Sequence, residues 1–165
     1  TGVYFINHTM MQQPVSHIKA LSLLHFSLLI GQVVFAAIAY YLLYSGTMKP
    51  MAAGEQYTTY IVMGISALAF LMVILSFSLY RKKTAGLRNS NIPAKDKLVA
   101  YRAANLVRWA MLEAPVLLAI IAFMLTGHYN FLLLAAAILI GFISTRPTAP
   151  KAAAELAISE EEINH

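Results

Sequence analysis

Apolar segments long enough to cross a lipid bilayer recur along this chain, and no other feature limits its fold so severely. A hydrocarbon core needs about 20 consecutive helical residues to span it. Residues 18–44, 58–80 and 98–126 meet that length, and 129–145 approaches it, reaching across if the bilayer thins locally. Lipid offers no partner for an exposed peptide group, so each segment must satisfy its backbone internally. The expected fold is therefore all-α, a polytopic bundle of four transmembrane helices.

Composition agrees. Hydrophobic residues make up 59% of the chain and charged ones 12%, whereas soluble domains carry roughly 25% charged residues. At 165 residues this is a single small domain by length. The net charge of +5 does not suggest nucleic acid, because the basic residues cluster beside apolar runs with no aromatic-basic platform. Cysteine is absent, which excludes disulfides, thiolate chemistry and Cys-based metal sites.

Three regions follow. Residues 1–17 form a polar N-terminal segment in which Met10 or Met11 would be a natural start. Residues 18–146 form the four-helix membrane domain. Ala37-Ile38-Ala39 resembles a signal-peptidase site, but the preceding apolar run exceeds a signal h-region, so an uncleaved span is expected. Residues 81–97 read as a hydrophilic linker with Gly86 and Pro93, and residues 147–165 as a tail with a short helix from about Pro150. Ser159 and Glu162 have capping-box spacing, and the acidic end of the tail reads as a solvated face. The two hairpins differ in loop length and charge, which argues against an inverted repeat.

Orientation follows from the cations. The linker holds Arg81, Lys82, Lys83, Arg88, Lys95 and Lys97, whereas the loop before Tyr57 has only Lys49 and the 127–130 turn has none. The positive-inside rule then puts the linker and both termini in the cytoplasm, with a bacterial inner membrane as the expected location. Those six cations are also expected to attract anionic phospholipid head groups.

With the topology set, depths can be compared. Glu113 lies five residues past Arg108, Ser76 five before Arg81, and His25 six past Lys19, which places all three at one level. At that level the fourth helix offers Gly141. On an ideal helix Arg108 points about 140° away from Glu113, and Arg102 lies about 16 Å back along the axis. Glu113 thus needs an interhelical partner, and His25 is the best candidate. Pro115 removes a backbone donor two residues on and is expected to kink the helix there. Ser22, His25 and Gln32 form a polar stripe that should face inward. Gly31, Gly64, Ala67, Ala137 and Gly141 should permit close helix approach, and Trp109 occupies the place of an interfacial anchor.

Two readings of this polar layer stand side by side. One is an interhelical lock that sets which helices adjoin. The other is a protonatable site built on Glu113 and His25, with Ser76 and Gln32 nearby, since ionisable groups in a membrane usually serve a function. The run from Arg102 through Glu113 to Leu125 is similar to the carboxylate-bearing helix of rotary-ATPase proteolipids, and that resemblance implies ion binding at Glu113. It covers one helix, and the glycine-repeat helix of that family is missing. As a whole the chain looks more like the small four-helix bacterial inner-membrane proteins of unassigned function.

Enzyme signatures are lacking. No H-E-x-x-H, G-x-S-x-G or phosphate-cradling glycine loop occurs, and Asp96 is the sole aspartate. His17 and His25 share one helix, so they cannot face each other across a haem. The expectation is a non-enzymatic accessory or assembly subunit without metal or cofactor, working in the bilayer with a membrane-protein partner or a second copy of itself. The rival is a proton- or solute-handling protein.

Overall fold

The computed structural model describes residues 17–51 and 55–164. The polar N-terminal segment and the starts at Met10 or Met11 lie outside the described residues. Six helices follow in order: α1 (His17–Tyr44), α2 (Glu55–Arg88), α3 (Ala94–Thr126), α4 (Asn130–Ser144), α5 (Ala149–Leu156) and α6 (Glu160–Asn164). The protein is an all-α helical membrane bundle. Three helices are long and apolar enough to cross a membrane, and the pair α4–α5, bent by 75°, supplies a fourth span if it is counted as one.

α3 is the central helix. Of its most apolar stretch 44% is buried, against 17% in α1 and 11% in α2. It packs on α2, α4 and α1, and its buried face runs from Leu112 through Val116, Ala119 and Ile120 to Phe123. The outward faces of α1 and α2 carry Leu23, Phe26, Tyr41, Met63, Phe70 and Leu79 exposed, a surface suited to lipid chains and not to water.

The bundle has two unlike ends. At one, Tyr40 stacks on Tyr44 and meets Tyr129 with tilted rings. Gly127 closes α3 there at φ 71°, donating its N–H to Phe123. A Cβ at this glycine would lie 2.9 Å from Pro50 Cγ, so both the left-handed backbone and the space demand glycine. The Met51 N–H donates to the Leu125 carbonyl at 2.8 Å and ties the first loop to α3.

At the other, basic end the helices run further than the apolar pattern indicates. α2 does not stop at Arg81 but continues to Arg88, and α3 begins at Ala94 instead of Leu98. The linker expected at 81–97 shrinks to residues 89–93. Arg, Lys, Ala and Leu are good helix formers, so charge ends the hydrophobic span without ending the helix. Thr84 returns its hydroxyl to the Tyr80 carbonyl at 3.0 Å. Three of the expected lipid-facing cations, Arg81, Lys82 and Lys83, stand exposed on this extension, as do Arg88 and Lys95. Lys97 does not: it is 7% exposed and donates to the Leu156 carbonyl at 3.4 Å.

The tail folds back onto this extension. Ala152, Leu156 and Ile163 are almost fully buried, with α5 against α2 and α6 against α3 and α1. The charged residues of α6 are exposed as expected, but its apolar side chain is not solvated. The Ser159–Glu162 capping box forms. The Ser159 N–H and hydroxyl donate to the Glu162 carboxylate at 2.9 and 3.0 Å, and the Glu162 N–H returns to the Ser159 hydroxyl at 3.3 Å. Those bonds hold the Glu162 carboxyl below its ordinary range.

The small residues do not bring backbones into contact. A Cβ on Gly31, Gly64 or Gly141 would meet nothing within 4 Å. A shallow gap lies beside Gly141 between α2, α3 and α4, lined by Val73, Phe77, Leu112, Ala137 and Ile138.

Candidate functional site: a buried polar layer at the end of α4

α4 has 15 residues and rises about 22 Å, less than a hydrocarbon core. Its C-terminal carbonyls, left without intrahelical donors as at any helix end, emerge at this layer, some facing the bundle and some its surface. Every one from Gly141 to Thr145 finds a partner. Gly141 O accepts from the Ser144 hydroxyl at 2.6 Å. Phe142 O accepts from His25 Nε2 at 3.0 Å and from the Thr145 hydroxyl at 2.6 Å. Ile143 O accepts from the Arg146 N–H at 3.3 Å, Ser144 O from Lys151 Nζ at 3.5 Å, and Thr145 O from Arg108 Nη2 at 2.9 Å. His25, Arg108 and Lys151, one from each of α1, α3 and α5, converge on the negative pole of a helix dipole.

Thr145 is the hub. Its Oγ1 accepts from Trp109 Nε1 at 3.1 Å and lies 3.3 Å from His25 Nε2. Because a carbonyl only accepts, the bond to Phe142 O puts the His25 proton on Nε2. The His25 ring stacks on Phe142 at 4.6 Å and tilts against Trp109 at 5.0 Å. Trp109 is 0% exposed. It is a buried strut, not the interfacial anchor its position along the chain suggested.

Arg108 forms the second half of the layer. It is 3% exposed; its guanidinium carbon sits 3.6 Å over the Tyr80 ring, and Nη2 also donates to Asn105 Oδ1 at 2.7 Å. Asn105 in turn donates to the Tyr101 carbonyl at 3.0 Å. The Tyr80 hydroxyl donates to Glu155 on α5 and so links the tail helix to the layer. The α2 hydroxyl at Ser76 donates to the Arg108 carbonyl at 3.2 Å. From Arg108 to Thr126, and from Ser76 back to Tyr57, the rise is about 27–28 Å. The layer thus lies about one hydrocarbon thickness from the tyrosine end, at the depth of an interface.

The four residues expected to meet are only partly brought together. His25 and Ser76 both join the layer, through Phe142 and Arg108 respectively. Gln32 is 1% exposed but sits two turns along α1, donates only to its own helix at Leu28 O, 3.3 Å away, and leaves Oε1 without a partner among the described residues. Glu113 does not pair with His25. It is half-buried, and no hydrogen bond or ion pair reaches it among the described residues. Its side chain lies one turn past Trp109, about 40° round the helix, whereas Leu112 takes the fully buried direction. α3 continues unbroken through Pro115, which is buried. The residues that depth matching passed over, Arg108, Trp109, Thr145 and Tyr80, had one sequence signal: a short fourth span ending at Thr145 leaves terminal carbonyls that need donors.

Comparison with protein-family models, with curated proteins and with solved structures returns no match for this chain.

Proposed function

We propose that this protein is a non-enzymatic accessory or assembly subunit of the bacterial inner membrane, with both termini in the cytoplasm. It would act by docking another membrane helix on the α3 flank that carries Glu113. One observation carries this reading: His25, Arg108, Tyr80 and Glu155 at the basic end are engaged in capping α4 and seating the tail, while Glu113, the one carboxylate within the apolar spans, is left half-buried and unpartnered by the described residues. A carboxylate at that depth is costly unless a donor reaches it. The partner helix would present a hydrogen-bond donor or cation there. Orientation rests on the basic extensions of α2 and α3.

Proton or solute handling is the second reading, favoured by the orphaned Gln32 oxygen and by the lone carboxylate. Against it, the core between the polar layer and the tyrosine end is lined by Leu112, Val116, Ala119, Ile120 and Phe123, with no run of polar side chains among the described residues.

One experiment separates them. Native membranes carrying wild-type protein or Glu113→Gln are compared on native gels, and both proteins are reconstituted for ion-flux assays. Docking predicts a higher-mass complex that Glu113→Gln diminishes, with flux no greater than in empty vesicles for either protein. A flux that vanishes in Glu113→Gln overturns the docking role.

A further inference from the structure

A groove of about 240 Å³ opens sideways between α2 and α3 at the level of the polar layer. Leu79, Tyr80 and Lys83 of α2 and Ala103, Val107 and Arg108 of α3 line it, so two cations and several apolar side chains share the groove. Arg108 is an unusual cation. No ion pair joins it to a carboxylate among the described residues, both its hydrogen bonds leave from Nη2, and Nε has no partner. The α4 dipole, the Tyr80 face and the Glu155 carboxylate beyond Tyr80 offset part of its charge, the first about half an elementary charge. Nε itself is closed off, but a guanidinium this buried with no direct ion pair is stabilised by a further anion at the groove it lines. Lys83, exposed at the mouth and without an ion pair among the described residues, adds a second positive charge.

We infer that this groove is a binding site for an anionic phospholipid. Its phosphate sits between Lys83 and the Arg108 guanidinium, and the upper part of an acyl chain lies along Leu79 and Val107. The apolar wall decides for a lipid over a soluble phosphate. Leu79 and Val107 are 49% and 54% exposed on helices that pass through the bilayer, so the groove opens to acyl chains below the interface and to head groups at it. Arg is suited to the phosphate because its planar fork holds two oxygens at once, with Lys acting as a point charge. This differs from the diffuse attraction of a basic surface, since it depends on one buried guanidinium and one cleft. It does not depend on the docking role of Glu113.

The test is native mass spectrometry of the full chain in detergent holding equal amounts of phosphatidylglycerol and phosphatidylcholine. Wild-type protein should retain phosphatidylglycerol in clear preference. Lys83→Gln should weaken retention about fivefold, the equivalent of about 1 kcal/mol for one cation at a lipid surface. Ala103→Phe, which fills the apolar side without touching a charge, should abolish the preference. Lys82→Gln, about 100° round the same helix, should leave it unchanged. Equal retention of the two lipids overturns the site. So does equal loss in Lys82→Gln and Lys83→Gln, which would mean surface charge alone, or displacement of the lipid by an equal concentration of inorganic phosphate. If Ala103→Phe does not fold, the contrast between the two exposed lysines decides.

Discussion

Replacing Thr145 by valine tests whether the polar layer holds the bundle together. Valine preserves shape and the backbone carbonyl that Arg108 uses, but it removes the hydroxyl. Trp109 Nε1, whose acceptor at 3.1 Å is that hydroxyl, then becomes a buried donor without a partner. Orphaning such a group costs about 1–3 kcal/mol, and hydrogen bonds between membrane helices measure about 0.6 and up to about 1.7 kcal/mol. His25 and Phe142 keep their own bond at 3.0 Å, so the loss centres on the indole. We expect destabilisation of about 1–2 kcal/mol, while Thr145→Ser stays near wild type. Unfolding in mixed micelles by an ionic detergent, followed by far-ultraviolet circular dichroism, measures it. Trp109→Phe and the double variant complete a cycle. The two substitutions should be strongly non-additive, because once the indole N–H is gone the hydroxyl has less to hold. Additive losses, or a Thr145→Val protein as stable as wild type, would refute the assignment of Thr145 as hub.

Other substitutions probe other parts of the fold. Gly127→Ala must accept a left-handed backbone and a Cβ at 2.9 Å from Pro50; a loss of about 1–3 kcal/mol is expected in the same unfolding assay. Ala157 caps α5 at φ 52° and is exposed, so Ala157→Gly should stabilise by up to about 1 kcal/mol. The Glu162 carboxyl is held below its ordinary range, so its cap is fully in place above the unfolded carboxyl range and is lost as pH falls through the lowered folded value. Hydrogen exchange at the Ser159 and Glu162 amides should quicken only on acidification below the usual carboxylate range, and Glu162→Gln, which removes the titrating group, should abolish that dependence. A hydrophobic carbodiimide in native membranes should modify the peptide containing Glu113, which is half-buried and unpartnered among the described residues, and spare Glu155, which is bonded to Tyr80.

The membrane class and the four apolar segments were legible in the residues themselves, because apolar length is a local property that needs no neighbour to interpret it. The Ser159–Glu162 box was legible for the same reason: its partners are three residues apart. The central role of α3 could also be anticipated, since Arg102, Asn105, Arg108 and Glu113 crowd one apolar helix. What the residues could not show was which polar groups meet. Depth matching put Glu113, His25 and Ser76 on one level, but level is one coordinate and rotation about each helix is another. Rotation depends on how four helices pack. Packing turned Glu113 to the flank and Arg108 inward, to the Thr145 carbonyl 37 positions away in the chain. It also buried Trp109 and Lys97 and drew the tail onto the bundle. Backbone hydrogen bonding shaped these placements: the carbonyls at the end of α4 accept from Ser144, Thr145 and Arg146 close by but also from His25, Arg108 and Lys151 on other helices, and no local pattern records which distant side chains those are.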